Sequence, residues 1–186
     1  MSKSTRFLPA LVIVLLCLMV FTNSPGIPSD KEPINIRLTD YHTLLLTTKQ
    51  TSNLKQLDCL TRNIYYEARG ESRDGQLAVA QVTLNRVESG LFPNSICGVV
   101  NERYRVKSEM ICQFSWRCDS NLNHQLVVSK NNPIYKLAIY AIMNHHTMSV
   151  VTHDTYWFHA NYVKPRWRKA KQKVVMIDDH IFYKKK

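Results

Sequence analysis

Apolar positions recur at three- and four-residue spacing through residues 52–88, which is the signature of helices with one buried face, and a single acid interrupts that pattern. Leu57, Leu60 and Ile64 mark the face of a first helix, and Glu67 falls on it where an apolar side chain is expected. The spacing predicts this helix over residues 52–68, stopped by Gly70 in the left-handed conformation that ends helices. Asp74 is the expected N-cap of a second helix, whose stripe Leu77, Ala80, Leu84 and Val87 runs out before Gly90. From 91 to 119 the periodicity breaks up, and a stretch mixing aromatics with short polar groups between two cysteines predicts a cystine-stapled loop. Asn132-Pro133 opens another helix, reaching about His145, with Ile134, Leu137, Ala138, Ala141 and Ile142 on its buried face. Beyond residue 150, Thr155-Tyr156-Trp157-Phe158 and Val174-Val175-Met176-Ile177 read as strands, and Asp178-Asp179 turns the second into His180-Ile181-Phe182-Tyr183. The fold class expected is mostly α, of the α+β kind, with a small C-terminal β-hairpin.

The N-terminal pattern differs. Lys3 and Arg6 precede an apolar run over residues 7–21, broken only by Pro9 and followed by a turn-rich polar stretch. This reads as a secretory signal or a signal anchor, shorter than the roughly 20 residues that a membrane span needs. The organisation expected is a signal peptide or anchor helix over 1–26, a proline-containing tether over 27–50 and one folded domain over 51–186. With 45% hydrophobic and 21% charged residues in a chain of 186, a single globular domain with its own core is sufficient.

Export changes the meaning of both charge and cysteines. A net charge of +11 calls for a polyanionic partner, and nine Lys or Arg residues lie between Lys164 and Lys186. Nucleic acid is a poor target outside the cell, which leaves an acidic wall polymer or an anionic lipid surface. Apart from Cys17, four cysteines remain: Cys59, Cys97, Cys112 and Cys118. An even number in an oxidising compartment predicts two disulfides. Three pairings are open; the short 112–118 spacing would close a small loop and leave Cys59 for Cys97, but the sequence does not choose.

A carboxylate withdrawn from water has a raised pKa and, still protonated near neutrality, is suited to general acid catalysis, which makes Glu67 the candidate catalytic residue. The structural alternative is a buried Glu paired to Arg69 or Arg86. His145, His146, His153 and His159 lie close together in sequence, yet none is spaced as a helical zinc pair and Asp154 is the only carboxylate nearby, so neither metal nor cofactor is expected.

Tyr66-Glu67-Ala68-Arg69-Gly70-Glu71, Gly75-Gln76-Leu77-Ala78-Val79-Ala80-Gln81-Val82, Leu84-Asn85-Arg86-Val87, Phe92-Pro93, Cys97-Gly98-Val99-Val100, Cys112-Gln113-Phe114-Ser115-Trp116, and then His159, Pro165, Trp167 and His180-Ile181-Phe182-Tyr183 occur in that order. Together they resemble the cell wall hydrolase family of SleB and CwlJ. The resemblance implies a lysozyme-like, mostly helical domain, related to lytic transglycosylases, that breaks peptidoglycan glycan strands between N-acetylmuramic acid and N-acetylglucosamine. It places the general acid at Glu67. The four-cysteine pattern is closer to the exported Gram-negative members, which implies a periplasmic or envelope location, with residues 7–22 as a candidate inner-membrane anchor.

A transglycosylase needs one carboxyl group, which protonates the glycosidic oxygen and then, as carboxylate, deprotonates the muramic acid 6-hydroxyl. A hydrolytic muramidase or glucosaminidase needs a second carboxylate, for which Glu71 is the candidate and Asp119, more typical of a turn, a weaker one. Glu71 also suits a structural role, bonding backbone donors at the start of the next helix. Tyr66, Gln113, Ser115, Trp116, Tyr156 and His159 are the candidate substrate-binding residues, since amides and hydroxyls bond sugar hydroxyls and aromatic rings cover pyranose faces. Trp116 suits cleft and core equally, and Phe114 suits the core. A monomer is expected. A module that binds peptidoglycan without chemistry is the non-enzymatic alternative, and the burial of Glu67 argues against it.

Overall fold

Helix α1 covers Leu38–Ala68, so it begins well before the residue 52 that the apolar spacing indicates. The structure, a computed structural model, describes residues 38–122 and 129–186, with side chains from residue 49 onward. The signal or anchor expected over 1–26, and the stretch 7–22 within it, lies outside them. Among the described residues no helix is long and apolar enough to cross a membrane. The chain divides into Met1–His42 and Thr43–Lys186, and the fold described here is that of the second unit.

The C-terminal half of α1 buries Leu60 and Ile64 completely. Gly70 does not take the expected left-handed conformation. The chain turns instead through Arg69 and Gly70, and the Glu71 N–H returns to the Ala68 carbonyl at 3.0 Å. The left-handed glycine is Gly90, with φ of 67°, just after the second helix.

Helix α2 covers Arg73–Glu88 and is capped by Ser72, not Asp74: the Ser72 hydroxyl accepts from the Gly75 N–H at 3.2 Å. Asp74 lies within the first turn, where its charge faces the positive end of the helix dipole. The expected stripe packs as predicted, with Leu77, Ala80 and Leu84 against Leu60, Ile64, Trp116, Leu137 and Ala141. The other side of α2 is buried too. Ala78, Val79 and Val82 meet Ala68, Val151 and Phe182 in a second apolar cluster. Burying a side chain such as Phe182, which is wholly inaccessible, contributes about 2–3 kcal/mol.

Between these clusters α2 carries buried polar side chains that bond the backbone of residues 148–156. Gln81 donates to the Met148 carbonyl at 2.7 Å and accepts from the Val151 N–H at 2.9 Å. Asn85 donates to the carbonyls of Thr152 and Thr155, and Arg86 Nε donates to that of Tyr156 at 2.7 Å. A buried polar side chain is tolerated only when its hydrogen bonds are made, and here they hold an irregular segment in place.

Cys112 and Cys118 staple their loop as expected, but the stretch before it, where the periodicity breaks up, contains regular structure. A short helix α3, Ile96–Val100, is capped by Ser95. It leads to the antiparallel hairpin of β1, Arg103–Val106, and β2, Glu109–Cys112, whose turn includes Lys107 at φ 54°. A 3-10 turn follows at Ser115–Cys118. Every residue of β1 is exposed, so no burial alternation marked it in the sequence. The disulfides are Cys59–Cys97, joining α1 to α3, and Cys112–Cys118, which closes the 3-10 turn onto β2.

Helix α4, Pro133–Asn144, starts at the Asn132 cap, whose side chain accepts from the Ile134 N–H at 2.9 Å. The terminal hairpin forms as β4, Lys171–Ile177, and β5, His180–Lys185, with Asp178 at φ 46° in its turn. It is not alone: β3, Thr155–Ala160, pairs with the other edge of β5, giving a three-stranded antiparallel sheet in the order β3-β5-β4. The chain therefore has a mixed α+β fold.

Candidate active site

A cleft of about 430 Å³ opens where the end of α1, the β2-to-3-10 segment and the β3–β5 wall converge. Glu67 and Arg86 line it from the helices, Gln113, Ser115 and Trp116 from the stapled segment, and His159 and His180 from the sheet. Glu67 is half-buried. Burial raises its pKa to about 7, against the opposing pull of the Arg86 guanidinium. The desolvation penalty on the carboxylate is thus the larger effect, and near neutrality a substantial fraction of the group carries a proton.

Arg86 is the buried cation of the site, 2% exposed. Burial lowers its pKa to about 10, with the nearby charge of Glu102, then Glu67, acting in the other direction, so it stays protonated at neutral pH. Its guanidinium packs over the rings of Phe92 and Phe114, at 5.1 and 5.3 Å from their centroids. With the Gln113 amide oriented so that donors do not face donors, its oxygen accepts from both Nη1 and Nη2 of Arg86 at 3.1 Å. Arg69, the other partner considered for Glu67, instead sits over the Tyr65 ring.

Other expected site residues separate into those at the cleft and those away from it. Tyr66 lines the cleft and stacks on Trp116, centroids 4.5 Å apart. Trp116 is both core and cleft wall: it is 6% exposed, and its indole N–H donates to Asn63 Oδ1 at 3.1 Å. Ser115 is exposed at the rim. His159 is held by the sheet, with Nδ1 2.9 Å from the Ala160 carbonyl and Nε2 3.0 Å from the Tyr183 hydroxyl. A carbonyl only accepts, so Nδ1 carries the proton and Nε2 accepts from Tyr183.

Tyr156 does not line the cleft; its carbonyl holds Arg86 and its ring packs near Phe92. Glu71 is not a cleft residue either. Its carboxylate accepts from the Asp179 N–H at 3.1 Å, so the backbone donor it meets belongs to the β4–β5 turn, not to the next helix. Asp119 accepts from the Asn121 N–H at 2.9 Å within a turn. His145 and His146 both approach Glu88, at 3.2 and 3.6 Å, and neither lines the cleft.

The cleft also has lining residues that the sequence does not single out, and two of them, His180 and Arg86, carry chemistry. His180, 7% exposed, stands in the sequence only within the His180-Ile181-Phe182-Tyr183 motif, although its alternation with Phe182 on β5 directs both to the interior. Arg86 reads from the sequence as a structural partner only, and its position beside Val87 of the apolar stripe is the signal that it is buried.

Comparison with known proteins gives a consistent match. Residues 70–183 match the family model described as Cell Wall Hydrolase, beginning just after Glu67. A spore cortex-lytic enzyme of Bacillus cereus is 29% identical over 128 residues, 69% of this chain and 44% of that protein. The Bacillus subtilis spore cortex-lytic enzyme is 56% identical over 43 residues, 23% of this chain and 14% of that protein. The chain therefore spans less than half the length of these curated relatives. Among solved structures, the catalytic domain of the Bacillus cereus SleB protein superposes with a TM-score of 0.52 and 25% identity, over 69% of this chain and 89% of that one. The catalytic domain of the germination-specific lytic transglycosylase SleB from Bacillus anthracis gives the same TM-score and identity, over 69% and 93%. With the family model covering most of its length and the same fold carrying it, the chain belongs to the cell wall hydrolase family.

Proposed function

We propose that this protein cleaves peptidoglycan glycan strands between N-acetylmuramic acid and N-acetylglucosamine as a lytic transglycosylase, with Glu67 as the catalytic acid and then base. The observation that carries the reading is a carboxyl with a pKa near 7 in a cleft whose lining, among the described residues, includes no second Asp or Glu.

Protonated Glu67 donates to the glycosidic oxygen as the bond from the muramoyl C1 breaks, and the N-acetylglucosamine side leaves as an alcohol. The resulting carboxylate takes the proton of the muramoyl C6 hydroxyl, and O6 bonds to C1, closing a 1,6-anhydro ring. One carboxyl completes the cycle in its starting protonation state. A pKa near 7 suits both steps, since the group gives and regains a proton at little cost near neutral pH. Tyr66, Gln113, Ser115, Trp116 and His159 line the same cleft and form its sugar-facing wall in this reading.

The lysozyme-like ancestry of the domain, its export by residues 1–26, its tether over 27–50 and its catalytic span over 51–186 belong to the same proposal. The basic C-terminal segment, which includes exposed Lys169 and Lys173, suits an anionic wall polymer.

Purified sacculi digested with the protein and analysed by mass spectrometry test the reaction. Anhydromuramic ends are expected, whereas reducing ends would replace transglycosylation with hydrolysis. Glu67→Gln should abolish both.

A further inference from the structure

The arrangement around Arg86 leaves a question that burial alone does not answer. A guanidinium beside a carboxyl ordinarily forms a two-pronged ion pair with it, and such a pair holds the carboxyl ionised. An ionised Glu67 cannot donate a proton. Yet among the described residues the ion pairs at contact distance do not include Arg86 with Glu67.

The reason lies in where the donors of Arg86 are already engaged. Nε is taken by the Tyr156 carbonyl at 2.7 Å. Nη1 and Nη2 both meet the Gln113 side-chain oxygen at 3.1 Å. The rings of Phe92 and Phe114 both pack against the guanidinium. Gln113 is itself anchored, because its N–H donates to the Glu102 carbonyl at 2.9 Å and it follows the disulfide-bonded Cys112. Glu102 supplies the countercharge for the buried cation, and one of its carboxylate oxygens is buried without a hydrogen bond.

We infer that Gln113 is a positioning residue: by accepting from both terminal nitrogens of Arg86 it keeps the guanidinium from pairing with Glu67, and so keeps that carboxyl able to carry a proton. An apolar residue here would not hold the guanidinium, and a carboxylate would hold it only by adding a charge. The amide oxygen takes one N–H from each terminal nitrogen and so fixes the direction in which the guanidinium points, and its neutrality adds no charge to the cleft. The inference rests on Glu67 being the catalytic acid. The charged and titratable groups facing the pair are Arg86 on α2, Glu102 and Tyr104 near Arg86, Tyr66 on α1, Tyr162 after β3, and His159 and His180 on the sheet.

The test is the pH dependence of glycan release from sacculi at limiting substrate for the parent, Gln113→Leu, Gln113→Glu and Glu67→Gln. In Gln113→Leu the freed Nη donors turn to Glu67, and the alkaline limb of the profile moves to lower pH by roughly 1–3 units, the usual effect of a guanidinium on a carboxyl. In Gln113→Glu the new carboxylate engages Arg86, and the limb stays in place or moves to higher pH. If Gln113→Leu keeps the parent limb and only KM rises, Gln113 is a sugar contact and the inference fails. If Gln113→Leu does not fold, a downward shift in Gln113→Glu overturns it just as well. Failure of the underlying reading is separate: it is seen when Glu67→Gln retains activity, whatever the Gln113 variants do.

Discussion

One carboxylate oxygen of Asp178 accepts from both the backbone N–H and the hydroxyl of Ser72, at 2.9 and 2.6 Å. The cap of α2 is thereby tied to the β4–β5 turn from far along the chain. A Cβ at Gly75 would collide with this same carboxylate, so the helix start and the hairpin turn fit around one atom. Asp178→Asn keeps a residue that tolerates the left-handed turn but weakens the charge-assisted bonds. Chemical denaturation is expected to show a loss of about 1–2 kcal/mol.

Glu67 is a stability liability as well as the proposed acid. Its folded pKa is raised from 4.5 to about 7, so between those values the native state binds more protons than the unfolded chain. Stability therefore falls as pH rises through this window. Glu67→Gln removes the penalty. Above pH 7 the variant should be more stable than the parent by up to about 3 kcal/mol, a difference that shrinks towards pH 4.5. Paired denaturation curves at acidic and alkaline pH measure it.

The histidines act in the opposite sense. Burial lowers the pKa of His145, against the nearby Glu88, and lowers that of His180, against Glu71, Asp179 and Asp178. A depressed histidine pKa gives stability that is present above the unfolded value, near 6.5, and is lost as pH falls through the folded one. His145→Gln should flatten the decline in melting temperature below about pH 6.5. A slope unchanged from the parent would assign the decline to other groups.

The two disulfides should divide stability from function. The sequence separation of Cys59 and Cys97 is 38, and loop-closure entropy assigns about 4 kcal/mol to such a link. For Cys112–Cys118, separated by 6, the figure is about 2 kcal/mol. The short loop, however, frames Gln113, Ser115 and Trp116 of the cleft wall. Removing the long-range bridge as a double Ser variant should lower the melting temperature more, and removing the short one should lower activity more, per unit of stability lost. Melting curves and glycan-release rates on both variants give the comparison.

Trp116→Phe deletes the indole N–H and leaves Asn63 Oδ1 without that donor in the core. The cost expected is about 1–3 kcal/mol, even though the stacking against Tyr66 is largely kept. A loss of activity without this destabilisation would mark the indole chiefly as a sugar contact.

How much of this was legible beforehand depended on whether burial followed a simple period. Leu60, Ile64, Leu77, Ala80 and Leu84 declared their helices, and Asn132-Pro133 declared the start of α4, because a stripe and a cap are local signals. Glu67 stood out for the same reason: it broke a stripe. The β1–β2 hairpin was invisible, since exposed strands carry no alternation. The cap of α2 was misplaced from Ser72 to Asp74 because both residue types cap helices, and the choice is made by Asp178, remote in sequence. Arg86 is legible only as a possible partner for a buried Glu67, and the tertiary arrangement of Gln113, Tyr156 and two phenyl rings is what gives it a buried place of its own.

The bonds from Gln81, Asn85 and Arg86 to residues 148–156 all end on main-chain atoms. Main-chain atoms are the same whatever side chain they carry. Tolerance to substitution should therefore be lopsided across this contact: the three helix positions admit few replacements, while on the gripped segment exposed Thr152 and His153 can be exchanged more freely than Met148, Val151 and Thr155, whose side chains are themselves buried. Variation accumulating on the gripped segment would alter its outer surface without disturbing the course of the strand that carries His159 to the cleft.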